Sequence, residues 1–203
     1  MEIQPLSVEG AWVVTPRQFA DERGVFLESF RGDRLAAALG HRPDVVQTNV
    51  SVSARGAVRG IHFADVPPGQ AKYVTVLHGA VVDYVVDIRV GSPTFGTWQA
   101  VRLDTVDRRA VYLSEGLGHA FCALEDDTTV LYLCTAAYDP GREHGVNPLD
   151  HTIGLELPDD LTPILSAKDE GAPSLAAAEA AGLLPTYAGC RQWADLRATE
   201  RPA

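Results

Sequence analysis

The chain lacks any run of about 18 apolar residues, so no membrane-spanning helix is expected. Its first residues, Met1-Glu2-Ile3-Gln4-Pro5, show no basic stretch leading into an apolar one, and hence no visible secretion signal. Cysteine is scarce: Cys122, Cys134 and Cys190 form an odd set without Cys-x-x-Cys spacing. They read as reduced thiols of a cytoplasmic protein rather than as a disulfide framework or a zinc site. Basic residues are also few, 17 Lys and Arg against 27 Asp and Glu, for a formal net charge of −10. That balance argues against nucleic-acid binding, whose affinity comes from clustered cations on the phosphate backbone. Internal repeats, low-complexity linkers and a Gly-rich dinucleotide-binding motif are all absent.

What remains is ordinary globular material: 203 residues, 46% hydrophobic and 22% charged, enough for one domain with a full core. Between residues 47 and 135, short β-branched or apolar runs alternate with Gly, Pro and Asp. The runs at 47–53, 57–63, 72–77, 80–88, 98–103, 110–113, 119–124 and 128–135 predict strands of an antiparallel sandwich or barrel. Turns are expected at Leu77-His78-Gly79 and Asp126-Asp127. Residues 34–40 predict a short helix ended by Gly40, and 174–182 a second with Ser174 as N-cap. The last dozen residues are polar and are expected to fray.

Two stretches carry candidate chemistry. Arg59-Gly60-Ile61-His62-Phe63 and Gln70-Ala71-Lys72-Tyr73 place a histidine and a lysine ten residues apart on successive strands. A base beside fixed positive charge suits proton abstraction next to a carbonyl, with the cations holding the oxyanion and an anionic substrate. Arg23, Arg59 and Lys72 are candidates for such a basic pocket; the alternative is that they are solvated surface cations. Asp83, Asp87 and Arg89 recur at period two on an expected strand, so they share one face, as internal ion pairs that orient a site or as a solvated face. Asp169 is a candidate carboxylate to orient His62, or a loop aspartate capping a turn. Tyr132 is placed either to deliver a proton from the face opposite the base or as a core tyrosine.

A metal site is not expected. The metal-binding cupin pattern has His-x-His on one strand and a glutamate shortly after, whereas His62 is followed by Phe63 and Ala64, with no Glu before Lys72. Gly116-Leu117-Gly118-His119 is a remnant of the second cupin motif, and two isolated histidines fall short of the ligands a tight site needs.

These residues sit within an ordered series of motifs: Asp21-Glu22-Arg23-Gly24-Val25-Phe26-Leu27-Glu28-Ser29-Phe30, Gln47-Thr48-Asn49-Val50-Ser51, Arg59-Gly60-Ile61-His62-Phe63 and Pro68-Gly69-Gln70-Ala71-Lys72. Val86-Asp87-Ile88-Arg89, Gly91-Ser92-Pro93-Thr94-Phe95-Gly96, Gly118-His119-Ala120-Phe121 and Leu165-Ser166-Ala167-Lys168-Asp169 follow. From about residue 10 to 187 the chain resembles the dTDP-4-dehydrorhamnose 3,5-epimerase (RmlC-like) family of dTDP-sugar epimerases. The resemblance implies an all-β, cupin-type antiparallel jelly-roll barrel over 1–187 with short peripheral helices, and a C-terminal tail from 188 to 203.

For the site, it implies His62 as base paired with Asp169, Lys72 on the C4 enolate oxygen, and Tyr132 as acid on the opposite face of the sugar. Arg23 and Arg59 would grip the diphosphate, Gln47 and Asn49 contact the nucleotide or sugar, and His119 line the sugar pocket. Phe26 and Tyr138 would sandwich the thymine and Glu28 hydrogen-bond it. The family is dimeric, so Arg23, Phe26 and Glu28 are expected to complete the partner's site. No cofactor is implied. Ala64, Tyr73, Ala120 and Asn147-Pro148-Leu149-Asp150 depart from the common pattern and resemble antibiotic deoxysugar members, which leaves inversion at C3, C5 or both open. The competing readings are a 3,4-ketoisomerase on the same ketosugar and a non-catalytic sugar-nucleotide binding module.

Overall fold

Period-two patterning drives the architecture, because alternate side chains of a strand face opposite sides of its sheet. A computed structural model describes residues 1–200. In chain order, β1 (Glu2–Pro5) and β2 (Ala11–Thr15) precede a hairpin of β3 (Gln18–Asp21) and β4 (Gly24–Leu27), then helix α1 (Gly32–Leu39). The barrel continues with β5 (Gln47–Ser53), β6 (Val58–Ala64), β7 (Lys72–His78), β8 (Ala80–Val86) and β9 (Trp98–Asp104). It is completed by β10 (Ala110–Leu113), β11 (Gly118–Ala123), β12 (Thr128–Cys134) and β13 (Glu143–Gly145), and followed by α2 (Ala167–Glu170), α3 (Leu175–Ala180) and α4 (Tyr187–Glu200).

One sheet has the order β1-β2-β10-β7-β12-β5, the other β13-β6-β11-β8-β9, and β3-β4 stands apart. Every named strand pair is antiparallel. Val74, Val76, Val111 and Leu113 of the first sheet meet Val81, Val85, Leu103 and Phe121 of the second in one buried cluster. Each such side chain contributes about 1.5–3 kcal/mol relative to exposure. Opposite-parity residues pack outward. Tyr73 and Tyr112 lie under Leu35 of α1, and Tyr84 and Val86 lie under Ile153, Leu175 and Leu184. The result is the cupin-type jelly roll, with short helices outside it. Among the described residues no helix is long and apolar enough to cross a membrane.

Both expected turns form, with Gly79 and Asp127 at positive φ, and α1 ends at Gly40 in the left-handed region. Two expectations fail. Strand β8 stops at Val86, so Asp87 and Arg89 do not share its face with Asp83. They form a buried ion pair at 2.8 Å that also takes the Ser92 and Thr94 hydroxyls and the Glu9 carbonyl, bracing loops away from the cavity. The stretch expected to fray is helix α4 up to Glu200, and residues 201–203 lie outside the described residues. Polar side chains of its first turns find a partner far away in sequence. Tyr187 donates to Glu9 at 2.5 Å, Arg191 pairs with Glu9 at 2.8 Å, and Cys190 is buried beneath.

Candidate active site

Arg59 and His62 have opposite parity, so a regular β6 would send them to opposite faces. The register against β11 resolves this: His62 pairs with His119 and Arg59 with Phe121, three residues advancing against two. This one-residue bulge turns both side chains toward the same cavity. Gly60 lies inside it at φ +124°, where an added Cβ would sit 2.4 Å from the His119 carbonyl oxygen and 2.6 Å from Ala120 Cα. Only glycine fits there.

Asp169 reaches β6 from far along the chain. Ile164 bridges Ala57, and its carbonyl accepts from Val58 N–H at 2.9 Å, which lays the segment along the strand. Ser166 then caps α2, its hydroxyl accepting from Asp169 N–H at 3.1 Å. The Asp169 carboxylate lies 2.6 Å from His62 Nε2. A carboxylate accepts, so Nε2 carries the proton and Nδ1 is left as the basic nitrogen. Burial pushes the Asp169 carboxyl up. The hydrogen bond and charge of His62, with Ser166 and the Gly60 N–H, outweigh it and hold the group below the usual carboxylate range.

Inside the barrel, a cavity of about 170 Å³ is lined by His62, Lys72, His119, Tyr132, Asn49 and Arg59, among others. A groove of about 360 Å³ adjoins it, sharing Arg59, His62, Tyr138 and Glu143 and adding Asp169 and Lys168. Lys72 begins β7 with the parity of Val74 and Val76, which directs it inward. Burial pushes its ammonium down from the ordinary lysine value, while Cys134 and Glu143 act the other way. Neither Lys72 nor Arg59 has a carboxylate within ion-pair distance among the described residues, which leaves both charges for a ligand. Arg59 is aimed by Ser53, whose hydroxyl accepts from Nε at 3.1 Å.

Tyr132 projects from β12 against the rings of His119 and Phe121, at centroid distances of 6.2 and 6.4 Å. Burial pushes its phenol well above the ordinary value, with Ser51 pulling slightly the other way, so it stays protonated at neutral pH. His119 is buried and donates from Nε2 to Asp83 at 2.7 Å. Tyr138 stands half-exposed at the rim, its N–H held by Gln47 at 2.9 Å.

Arg23, Phe26 and Glu28 do not join this group within the single chain. The hairpin that carries the first two is exposed along both strands; Arg23 pairs with Asp21, and Glu28 with Arg31 at 2.9 Å. Sequence reasoning missed Glu143 and Lys168, which line the groove from a three-residue strand and a four-residue helix too short to show any period. It also missed Ser51 and Ser53, whose partners are fixed only by strand pairing. Among the described residues no three His, Cys, Asp or Glu side chains converge as a metal site would require.

Chemically, the assembly offers one oriented imidazole, one protonated phenol and one ammonium around a single cavity, with a guanidinium at its mouth. The family model described as dTDP-4-dehydrorhamnose 3,5-epimerase matches residues 5–177. The chain is 58% identical to a dTDP-4-dehydrorhamnose 3-epimerase of Streptomyces niveus, over 94% of this chain and 92% of that one. It is 57% identical to a dTDP-4-dehydrorhamnose 3,5-epimerase of Mycolicibacterium smegmatis, over 96% of each. Among solved structures, ChmJ, a 3'-monoepimerase from Streptomyces bikiniensis in complex with dTDP-quinovose, superimposes with a TM-score of 0.94 at 52% identity, covering 96% of this chain and 98% of that one. The chain therefore belongs to the dTDP-4-dehydrorhamnose 3,5-epimerase family.

Proposed function

We propose that this protein epimerises a dTDP-4-keto-6-deoxyhexose, dTDP-4-keto-6-deoxyglucose or a close relative, at C3, C5 or both. The observation that carries the reading is the pairing of His62 with Asp169 across one cavity from a partly buried, protonated Tyr132. The C4 ketone acidifies the protons on C3 and C5. His62 Nδ1 takes one of them, Asp169 stabilises the imidazolium, and Lys72 holds the charge that develops on the C4 oxygen. Tyr132 returns a proton to the opposite face of the same carbon, which inverts it. No electron leaves the substrate, so the reaction calls for no redox partner.

Arg59 takes the diphosphate, with Gln47 and Asn49 on the nucleotide or sugar, His119 on the sugar and Tyr138 on the thymine. The exposed hairpin supplies the rest from a second copy in a homodimer. Arg23 adds to the diphosphate grip, Phe26 completes the thymine sandwich and Glu28 hydrogen-bonds the base. Supporting this, Phe19, Val25 and Phe26 stand exposed on a hairpin that pairs with neither sheet, a large apolar surface for a lone chain to leave in water.

The test is incubation with dTDP-4-keto-6-deoxyglucose in heavy water, with deuterium and stereochemistry read by NMR. Label with inversion at both carbons is expected of a 3,5-epimerase, and at one carbon of a mono-epimerase of the antibiotic-sugar kind. A product with its carbonyl at C3 would instead make it a ketoisomerase, and no label at all would overturn the catalytic reading.

A further inference from the structure

The inward face of β5 carries Gln47, Asn49, Ser51 and Ser53 at period two, while Val50 and Val52 face away and are exposed. Each of the four touches a different part of the site. Gln47 holds the Tyr138 N–H, Asn49 lies with Nδ2 3.9 Å from Cys134 Sγ, Ser51 Oγ lies 3.2 Å from the Tyr132 hydroxyl, and Ser53 holds Arg59. The strand is thus a row of polar side chains along one edge of the site, of which Ser51 and Ser53 stand behind Tyr132 and Arg59.

We infer that Ser51 is a positioning residue for the acid, holding the Tyr132 hydroxyl in place and turning its own O–H onto the phenolate once Tyr132 has protonated the sugar carbon. The inference rests on the epimerase reading above. Among the described residues the Tyr132 hydroxyl has this one hydrogen-bond partner. His119 and Phe121 confine the ring but offer its oxygen no hydrogen bond. A serine hydroxyl rotates freely, so it accepts from the phenol before transfer and donates to the phenolate after it.

The step balances. The Tyr132 O–H bond breaks, a C–H bond forms using the carbanion's electron pair, the phenolate keeps its own pair, and Ser51 retains its proton. A hydrogen bond to a charged oxygen is about twice as strong as one to a neutral oxygen, so Ser51 stabilises the state after transfer more than the state before it. Such an interaction accelerates inversion rather than tightening binding. Its geometry fits that role, because Ser51 is not among the side chains lining the cavity.

The experiment compares wild type, Ser51→Ala and Ser51→Thr with dTDP-4-keto-6-deoxyglucose in heavy water, reading deuterium incorporation and inverted product separately. In Ser51→Ala, inversion is expected to fall roughly tenfold or more, the loss of a hydrogen bond to a charged group. Deuterium entry into substrate of unchanged configuration, which takes no proton from Tyr132, should fall far less, and KM should hold. Ser51→Thr, which keeps the hydroxyl, should recover inversion. Equal losses of exchange and inversion, undiminished inversion in Ser51→Ala, or no recovery in Ser51→Thr overturns the assignment. A wild type that neither exchanges nor inverts this sugar overturns the epimerase reading instead. Crystal structures then decide Ser51 by themselves: a displaced Tyr132 hydroxyl in Ser51→Ala supports the positioning role, and an unmoved one overturns it.

Discussion

Two histidine–aspartate pairs stand side by side on β6 and β11, and they differ in nearly everything except chemistry. His62 and Asp169 are 2.6 Å apart, the imidazole one-third exposed at the cavity and its carboxylate brought 107 positions along the chain. His119 and Asp83 are 2.7 Å apart, both buried, on adjacent strands of one sheet. The first ring is one-third exposed and has its partner outside the sheet. The second is locked into the wall that shapes the cavity and confines Tyr132. A carboxylate 2.6–2.7 Å from an imidazole is therefore common to both pairs, and exposure of the ring is what separates them.

Removing the two imidazoles breaks the comparison most sharply. His62→Ala is expected to lower deuterium exchange at C3 and C5 by about 10³-fold, within the usual range for a general base. His119→Ala should leave exchange well above that level. Equal losses measured by NMR in heavy water would erase the distinction between the two pairs.

The carboxylates should divide the other way. Asp83→Ala breaks a fully buried pair and is expected to cost about 3–5 kcal/mol in urea unfolding. Asp169→Ala, next to a part-exposed ring at the barrel's edge, should cost less stability while still slowing exchange. If Asp169→Ala proves the more destabilising of the two, Asp169 is chiefly a structural brace.

Gly60 joins the pairs, since its bulge sets His62 against His119. Gly60→Ala places a methyl where φ is +124° and backbone lies within 2.4 Å. A loss of roughly 1–3 kcal/mol from the strained φ is expected, together with lower activity as β6 shifts. Ala at Gly91, also at positive φ but with open space around it, is the control that separates conformational strain from collision. Equal losses of stability and activity in the two variants would discount the close approach.

The smallest effect is one of pH. The folded Asp169 carboxyl is held below its ordinary value, so the unfolded chain binds more protons than the folded one near that range. Its contribution to stability is complete above about pH 4 and is lost as pH falls through the lower folded value. The stability gap between wild type and Asp169→Asn should shrink as pH is taken from 7 toward 3. A gap that stays constant would place the carboxylate's stabilisation elsewhere.

Much of the fold was legible because burial on one face imposes period two. The eight strands expected between residues 47 and 135 all form, and their ends differ from the sequence reading by at most two residues. The short strands β1 to β4 and β13 were not read, since runs of three to five residues are too short to show an alternation. Helix α4 was read as a fraying tail because its polar surface gives no apolar stripe; its docking depends on Glu9, far away in sequence.

Composition and periodicity by themselves determined an antiparallel sandwich or barrel; the family resemblance carried by the ordered motifs narrowed it to the jelly roll and named the side chains to watch. Tertiary structure alone decided that Arg59 and His62 share a face, that Asp87 pairs with Arg89 outside the strand, and that Asp83 belongs to His119. The physical reason is range. Hydrophobic alternation is a local property of the chain, whereas a bulge, a carboxylate–imidazole contact 107 residues apart, and a serine behind a tyrosine exist only once strands are in register.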